Sequence, residues 1–150
     1  MKAERAFVDS GVFVGAFNKR DSNHERGKSL LKKIGTDFKI AYTSDFVLDE
    51  VISRLVKDIR KGRLRKERIL ERIEKAIQDS ALVRLEHVSE SMFASAKTCF
   101  KEYRDKYLSL TDWTITIMMR DFGISTLMSF DDDFDTIREI EEFSSITRIG

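Results

Sequence analysis

The sequence predicts an α/β fold, a parallel sheet with helices on both faces, and three observations predict it. Short apolar runs of strand length alternate with stripes at helical spacing along the whole chain. The run from Ser109 to Asp135 reads as a buried helix, a glycine turn, a short strand and a burst of carboxylates. The ends of several predicted strands carry acids, and in such sheets ligands lie beyond the carboxyl ends of the strands.

The elements follow in order. Arg5 to Val8 is a first strand ending at Asp9, and Ser10 to Phe17 a short helix containing Gly11 and Gly15. Ser22 and Glu25 have capping-box spacing, so a second helix is expected from there to about Ile34, stopping at Gly35. Lys39 to Thr43 is a second strand, after which Ser44 or Asp45 caps a long helix. Leu48, Val51, Ile52, Leu55 and Ile59 stripe that helix, which is expected to end near Gly62. Arg65 to Asp79 is a further helix, Ala81 to Leu85 a third strand, and Glu90 to about Tyr103 a helix capped by Ser89. Trp113, Ile115, Ile117, Met118, Met119 and Phe122 leave the next helix little polar face, which predicts burial. Gly123 stands where a C-cap belongs. Ile124 to Ser129 follows as an interior strand, then a helical turn from Asp133 to Glu139 and a last strand from Ser145 to Ile149.

At 150 residues the chain is one domain, residues 1–150, without repeat or linker. Hydrophobic residues at 41% and charged residues at 35% fit a soluble globular protein. No apolar run approaches membrane-spanning length and the N-terminus is too charged for a signal peptide, so a cytoplasmic protein without membrane contact is expected. The single cysteine, Cys99, excludes an internal disulfide and a Cys-rich zinc site. The net charge of +1 hides an uneven layout. Lys57 to Lys75 holds nine basic residues against four acidic, and Phe130 to Glu142 seven acidic against one basic. The basic stretch suits contact with a phosphate backbone, although a solvated helical hairpin explains the same pattern.

The acids carry the chemistry. Carboxylates forced together at the rim of a core repel one another unless a cation lies between them. Asp9, an acid in the helix after the second strand, Asp112 and the Asp131–Asp133 run can all converge at one sheet edge. Each has a plain structural explanation: Asp9 as a helix N-cap, Asp112 as the partner of Ser109 in a capping box, Asp131 to Asp133 as a turn. Periodicity does not choose between Asp45, Asp49 and Glu50. Other chemistry is thin. His24 and His87 are too isolated for a zinc site, Cys99 reads as core, and no nucleophile elbow or phosphate-binding glycine loop is present. Oxygen-only ligands favour a hard cation, Mg²⁺ or Mn²⁺.

Four blocks, FVDSGVFVGAF around Asp9, TSDFVLDEV around Glu50, SLTDWTI around Asp112 and MSFDDDFD around Asp131, give nearly the whole chain a resemblance to the PIN domains of VapC-type ribonucleases. DSNHERG after the first helix also resembles many members. The resemblance implies a three-layer α/β/α domain with a central, mainly parallel sheet, and Mg²⁺- or Mn²⁺-dependent cleavage of RNA phosphodiesters. It implies Asp9, Glu50, Asp112 and Asp131 as catalytic and metal-holding acids, with Ser10, Thr111 and Asp133 auxiliary. It also implies homodimerisation and a small antitoxin protein as partner, in a VapBC-type toxin–antitoxin pair.

Two other acid-lined α/β families fit less well. A haloacid-dehalogenase-like phosphatase wants an Asp where Gly11 stands, and a response-regulator receiver wants a late lysine, whereas none follows Lys106. A non-catalytic RNA-binding or protein-interaction module on the same fold is the alternative of a different class.

Overall fold

The computed structural model describes residues 4–59 and 66–150. Five strands form one sheet in the order β3-β2-β1-β4-β5: β1 (Arg5–Val8), β2 (Ile40–Ser44), β3 (Val83–Glu86), β4 (Thr126–Met128) and β5 (Thr147–Ile149). Every pairing is parallel, as the alternation of strands and helices predicts. β1 is central, and its Ala6, Phe7 and Val8 are fully buried, which suits an interior strand of a sheet covered on both faces.

The helices are α1 (Ser10–Phe17), α2 (His24–Leu31), α3 (Asp45–Ile59), α4 (Lys66–Gln78), α5 (Glu90–Glu102) and α6 (Leu110–Phe122). α1 packs on α2 and α3, α3 on α4, and α5 on α6. Right-handed crossovers from β1 to β2 to β3 put the first group on one face. The return from β3 to β4 puts α5 and α6 on the other, completing three layers. The sheet therefore turns back at β1 and β4, and the crevice at their carboxyl ends is where such a fold places its site.

α6 is the buried helix the sequence predicts. Trp113 to Met119 are all buried, Ser109 and Asp112 close a reciprocal capping box, and Gly123 ends the helix at φ 66°. Phe122 departs from the expectation and is half-buried, near the ring of Tyr42.

Other departures are local. The Ser22–Glu25 capping box does not form: Asp21 Oδ1 accepts the Asn23 N–H at 2.8 Å, and α2 begins at His24. That helix ends at Leu31 rather than Ile34, because the chain turns from Lys33 to Gly35, whose φ is 96°. β2 starts and ends one residue later than expected, β3 begins at Val83 and β5 at Thr147. Val47 joins the buried stripe of α3, whereas Leu48 and Ile52 are half-buried. The expected end of the long helix near Gly62 and the start of the next at Arg65 lie outside the described residues. The turn expected at Asp133 to Glu139 is a 3₁₀ helix over Asp132–Glu139, with Asp131 as its N-cap.

Candidate active site

Asp9 leaves β1 in extended conformation and caps α1, its Oδ1 accepting the Ser10 N–H at 2.7 Å. Its own N–H donates to Met128 O at 3.0 Å, which fixes it beside the end of β4. The residue after β4 is Ser129, fully buried. Ser129 Oγ donates to Asp9 Oδ2 at 2.7 Å and accepts the Asp131 N–H at 3.1 Å. One hydroxyl thus ties two predicted site acids 122 positions apart in sequence.

Glu50 lies in the second turn of α3, and its Oε1 accepts the Ser10 hydroxyl at 3.0 Å. Of the three acids that periodicity leaves open, Glu50 is the one bonded to the start of α1. Asp45 faces away, accepting from the Val88 N–H at 3.0 Å and pairing with His87 Nδ1 at 3.1 Å, and Asp49 is exposed. Asp112 uses Oδ2 to accept the Ser109 N–H at 2.9 Å, so its capping role and its position at the site coexist. Asp131 Oδ1 accepts the Asp133 N–H at 3.0 Å. Of the auxiliary residues, Ser10 links α1 to Glu50, and Asp133 stands in the acidic turn. Thr111 enters the hydrogen-bonding through its carbonyl, which accepts from Thr114 Oγ1 at 2.6 Å.

Asp9 lies in the field of Glu50 and Asp131, and Asp112 in that of Asp9 and Asp131. Asp9 is only 6% exposed, and burial pushes its carboxyl above the usual range, with the negative charges of Glu50 and Asp131 adding to the rise. The bonds from Ser129 and Ser10 oppose it. Asp112 is pushed up to about 7, chiefly by burial, with Asp9 and Asp131 contributing. Burial also raises Asp133, with help from Asp131 and Asp132. Among the described residues none of Asp9, Glu50, Asp112 and Asp131 has a Lys, Arg or His in ion-pair contact.

The group is not tightly closed. Among the described residues the only three acids whose oxygens all approach within 4.8 Å are Asp131, Asp132 and Asp133, consecutive residues of one turn. An oxygen-only donor set, two of whose members (Asp9 and Asp112) have raised pKa values, with no described Lys, Arg or His paired to it, fits a hard divalent ion.

A PIN domain model matches residues 6–140. This chain belongs to the PIN domain family. No curated protein sequence matches it. Among solved structures it is similar to VapC20 of Mycobacterium tuberculosis, a sarcin-ricin loop cleaving toxin, at 27% identity and a TM-score of 0.72, covering 87% of this chain and 93% of that one. It shares its fold with VapBC2 from Rickettsia felis bound to a DNA fragment from their promoter, at 16% identity and a TM-score of 0.60, over 97% of both chains. It also shares it with FitAcB from Neisseria gonorrhoeae, at 16% identity and a TM-score of 0.63, over 97% and 96%. This is a VapC-like PIN domain.

Two residues of this PIN domain's site escape a reading of the sequence. Ser129 has no periodic signature; its signal is a hydroxyl closing an apolar strand two residues before an acid. Arg148, in β5, donates to both carboxylate oxygens of Asp135 at 3.0 Å and to Ser129 O at 3.1 Å, so it braces the acidic turn from the sheet edge.

Proposed function

We propose that this PIN domain is a metal-dependent endoribonuclease that hydrolyses RNA phosphodiester bonds as the toxin of a VapBC-type pair. The observation that carries the reading is the Asp9 carboxylate at the β1–β4 crevice, its pKa raised by burial and then by neighbouring acids, and unpaired with any described cation. The likeness to an RNA-cleaving toxin supports it.

Asp9, Glu50, Asp112 and Asp131 would hold Mg²⁺ or Mn²⁺. Such an ion polarises a phosphoryl oxygen and lowers the pKa of its bound water. The chain supplies the rest. Ser129 and the Ser10 N–H fix both oxygens of Asp9, and Ser10 Oγ orients Glu50. Asp112 spends Oδ2 on its cap, leaving Oδ1 free to face the ion. Asp133 lies beside this set as an auxiliary acid.

A small antitoxin is the proposed partner, supported by the VapBC and FitAB complexes of the same fold. A homodimer is proposed as well. Its support on α3 and α4 is slight, since Leu70 at 39% exposure is the only large hydrophobic of those helices exposed among the described residues. No described helix is long and apolar enough to cross a membrane.

The test is cleavage of a structured RNA by the purified protein with Mn²⁺, with Mg²⁺ and with EDTA, beside its Asp9→Asn variant. Cleavage and a raised melting temperature with metal are expected of the parent, and neither of the variant. Equal cleavage by the Asn variant rules out this site as the source of the activity.

A further inference from the structure

We propose that Arg54, beside Gly11, and Arg26, over Phe130, form a subsite for the RNA phosphates that flank the bond to be cut. The inference rests on the nuclease reading for its substrate and on separate geometry for its residues.

Arg54 is four residues after Glu50 on α3, where an i,i+4 ion pair is the ordinary outcome. That pair does not form: Glu50 Oε1 is occupied by Ser10 Oγ, and Arg54 has no ion-pair partner among the described residues. Its guanidinium reaches instead across Gly11. A methyl group built on Gly11 would lie 3.8 Å from Arg54 Nη1 and 3.8 Å from Phe130 Cδ2. Those are ordinary contact distances, so the absent side chain leaves a narrow gap there. Arg26 of α2 stands over the Phe130 ring, its Cζ 4.7 Å from the centroid, with Nη1 held by Asn23 Oδ1 at 3.1 Å. Arg26 likewise has no carboxylate partner among the described residues, and both arginines are exposed.

This band adjoins the acids through the chain itself. Gly11 is two residues from Asp9, Arg54 one helical turn from Glu50, and Phe130 directly precedes Asp131. Two guanidiniums without carboxylate partners, one anchored on an aromatic face, flank a cluster of carboxylates that would repel a bare phosphate backbone. Guanidinium forks match phosphate oxygens. The arrangement gives the strand a cationic hold next to the acids without neutralising them.

The experiment measures binding of a fluorescein-labelled RNA stem-loop by anisotropy, across a salt series, in the Asp9→Asn background. The proteins compared add Arg54→Gln, Arg26→Gln, both together, or Lys97→Gln with Lys101→Gln as a charge-matched change on α5. Loss of a phosphate contact lowers the slope of log K against log salt by about 0.7 to 0.9 per arginine. Weaker binding with that change of slope in the arginine variants, but not in the lysine control, is expected. Unchanged slopes, slopes lowered equally by the control, or no RNA binding at all overturn the subsite. Cleavage by the parent with Mg²⁺, run alongside, tests the nuclease reading separately. A parent that binds through both arginines without cutting loses that reading and keeps the subsite. A parent that cuts while the slopes agree does the reverse.

Discussion

The hydroxyl of Ser129 stands 2.7 Å from Asp9 Oδ2 and is donated to it, joining the end of β4 to the end of β1 inside the core. The same oxygen accepts the Asp131 N–H, so both of its roles are used. Ser129→Ala therefore leaves a buried carboxylate oxygen and a half-buried backbone donor without partners. A cost of about 1–3 kcal/mol is expected, measured by urea denaturation. Because the Ser129 bond lowers the Asp9 pKa, its loss should also raise that pKa further, which NMR titration of the Asp9 carboxyl carbon would register. A variant as stable as the parent, with an unmoved Asp9, would mean that the hydroxyl does not hold the acid.

Stability should depend on pH through Asp112. Its folded pKa of about 7 lies above the unfolded model value of 3.8. Between those values the folded protein keeps a proton that the unfolded chain has lost. Stability in EDTA should accordingly fall as pH rises from about 4 to 7, then level off as Asp112 ionises in both states. Asp9, also raised, adds in the same direction. Asp112→Asn should flatten the fall and melt above the parent at pH 8, less whatever the altered cap costs. A parent whose melting temperature climbs across this window would contradict the buried-acid account.

Three of the candidate acids were legible in the sequence because each stands at an element boundary that local patterning can find. Asp9 ends a β-rich run, Asp112 shares a capping box with Ser109, and Asp131 follows a strand. Glu50 was not legible from periodicity, because what sets it apart is a hydrogen bond to Ser10, forty residues away. Ser129, Arg148, Arg26 and Arg54 act through contacts between separate elements in the same way. The Ser22–Glu25 spacing failed for a related reason. Asp21 Oδ1 takes the Asn23 N–H, and α2, which approaches α1 closely, begins at His24.

That approach supplies a third prediction. A methyl on Gly27 would lie 2.8 Å from both Ala16 N and Val12 O, and one on Gly15 would lie 2.8 Å from Asn23 O. Backbone atoms on both sides leave no flexible side chain to move aside. Gly27→Ala should destabilise by about 1–3 kcal/mol despite the higher helix propensity of alanine. Thermal melting decides it, and a stabilised variant would mean that the two helices slide apart freely.

Arg148 tests whether the acidic turn is positioned from the sheet edge. Its side chain is 16% exposed, and its fork grips Asp135, whose pKa it lowers, while Nη1 reaches Ser129 O. Asp135 is about half exposed, so the ion pair alone is worth little, and the geometry matters more than the charge. Lysine keeps the charge but cannot serve two carboxylate oxygens and a carbonyl in one plane. Arg148→Lys should therefore cost only about 1 kcal/mol in stability. On the nuclease reading it should also lower kcat with little change in KM, because the turn that carries Asp131 loses its brace at Asp135 and Ser129 O while Arg54 and Arg26 still hold the strand. A loss confined to KM would assign Arg148 to substrate binding instead, and full activity would show that the turn holds its shape without it.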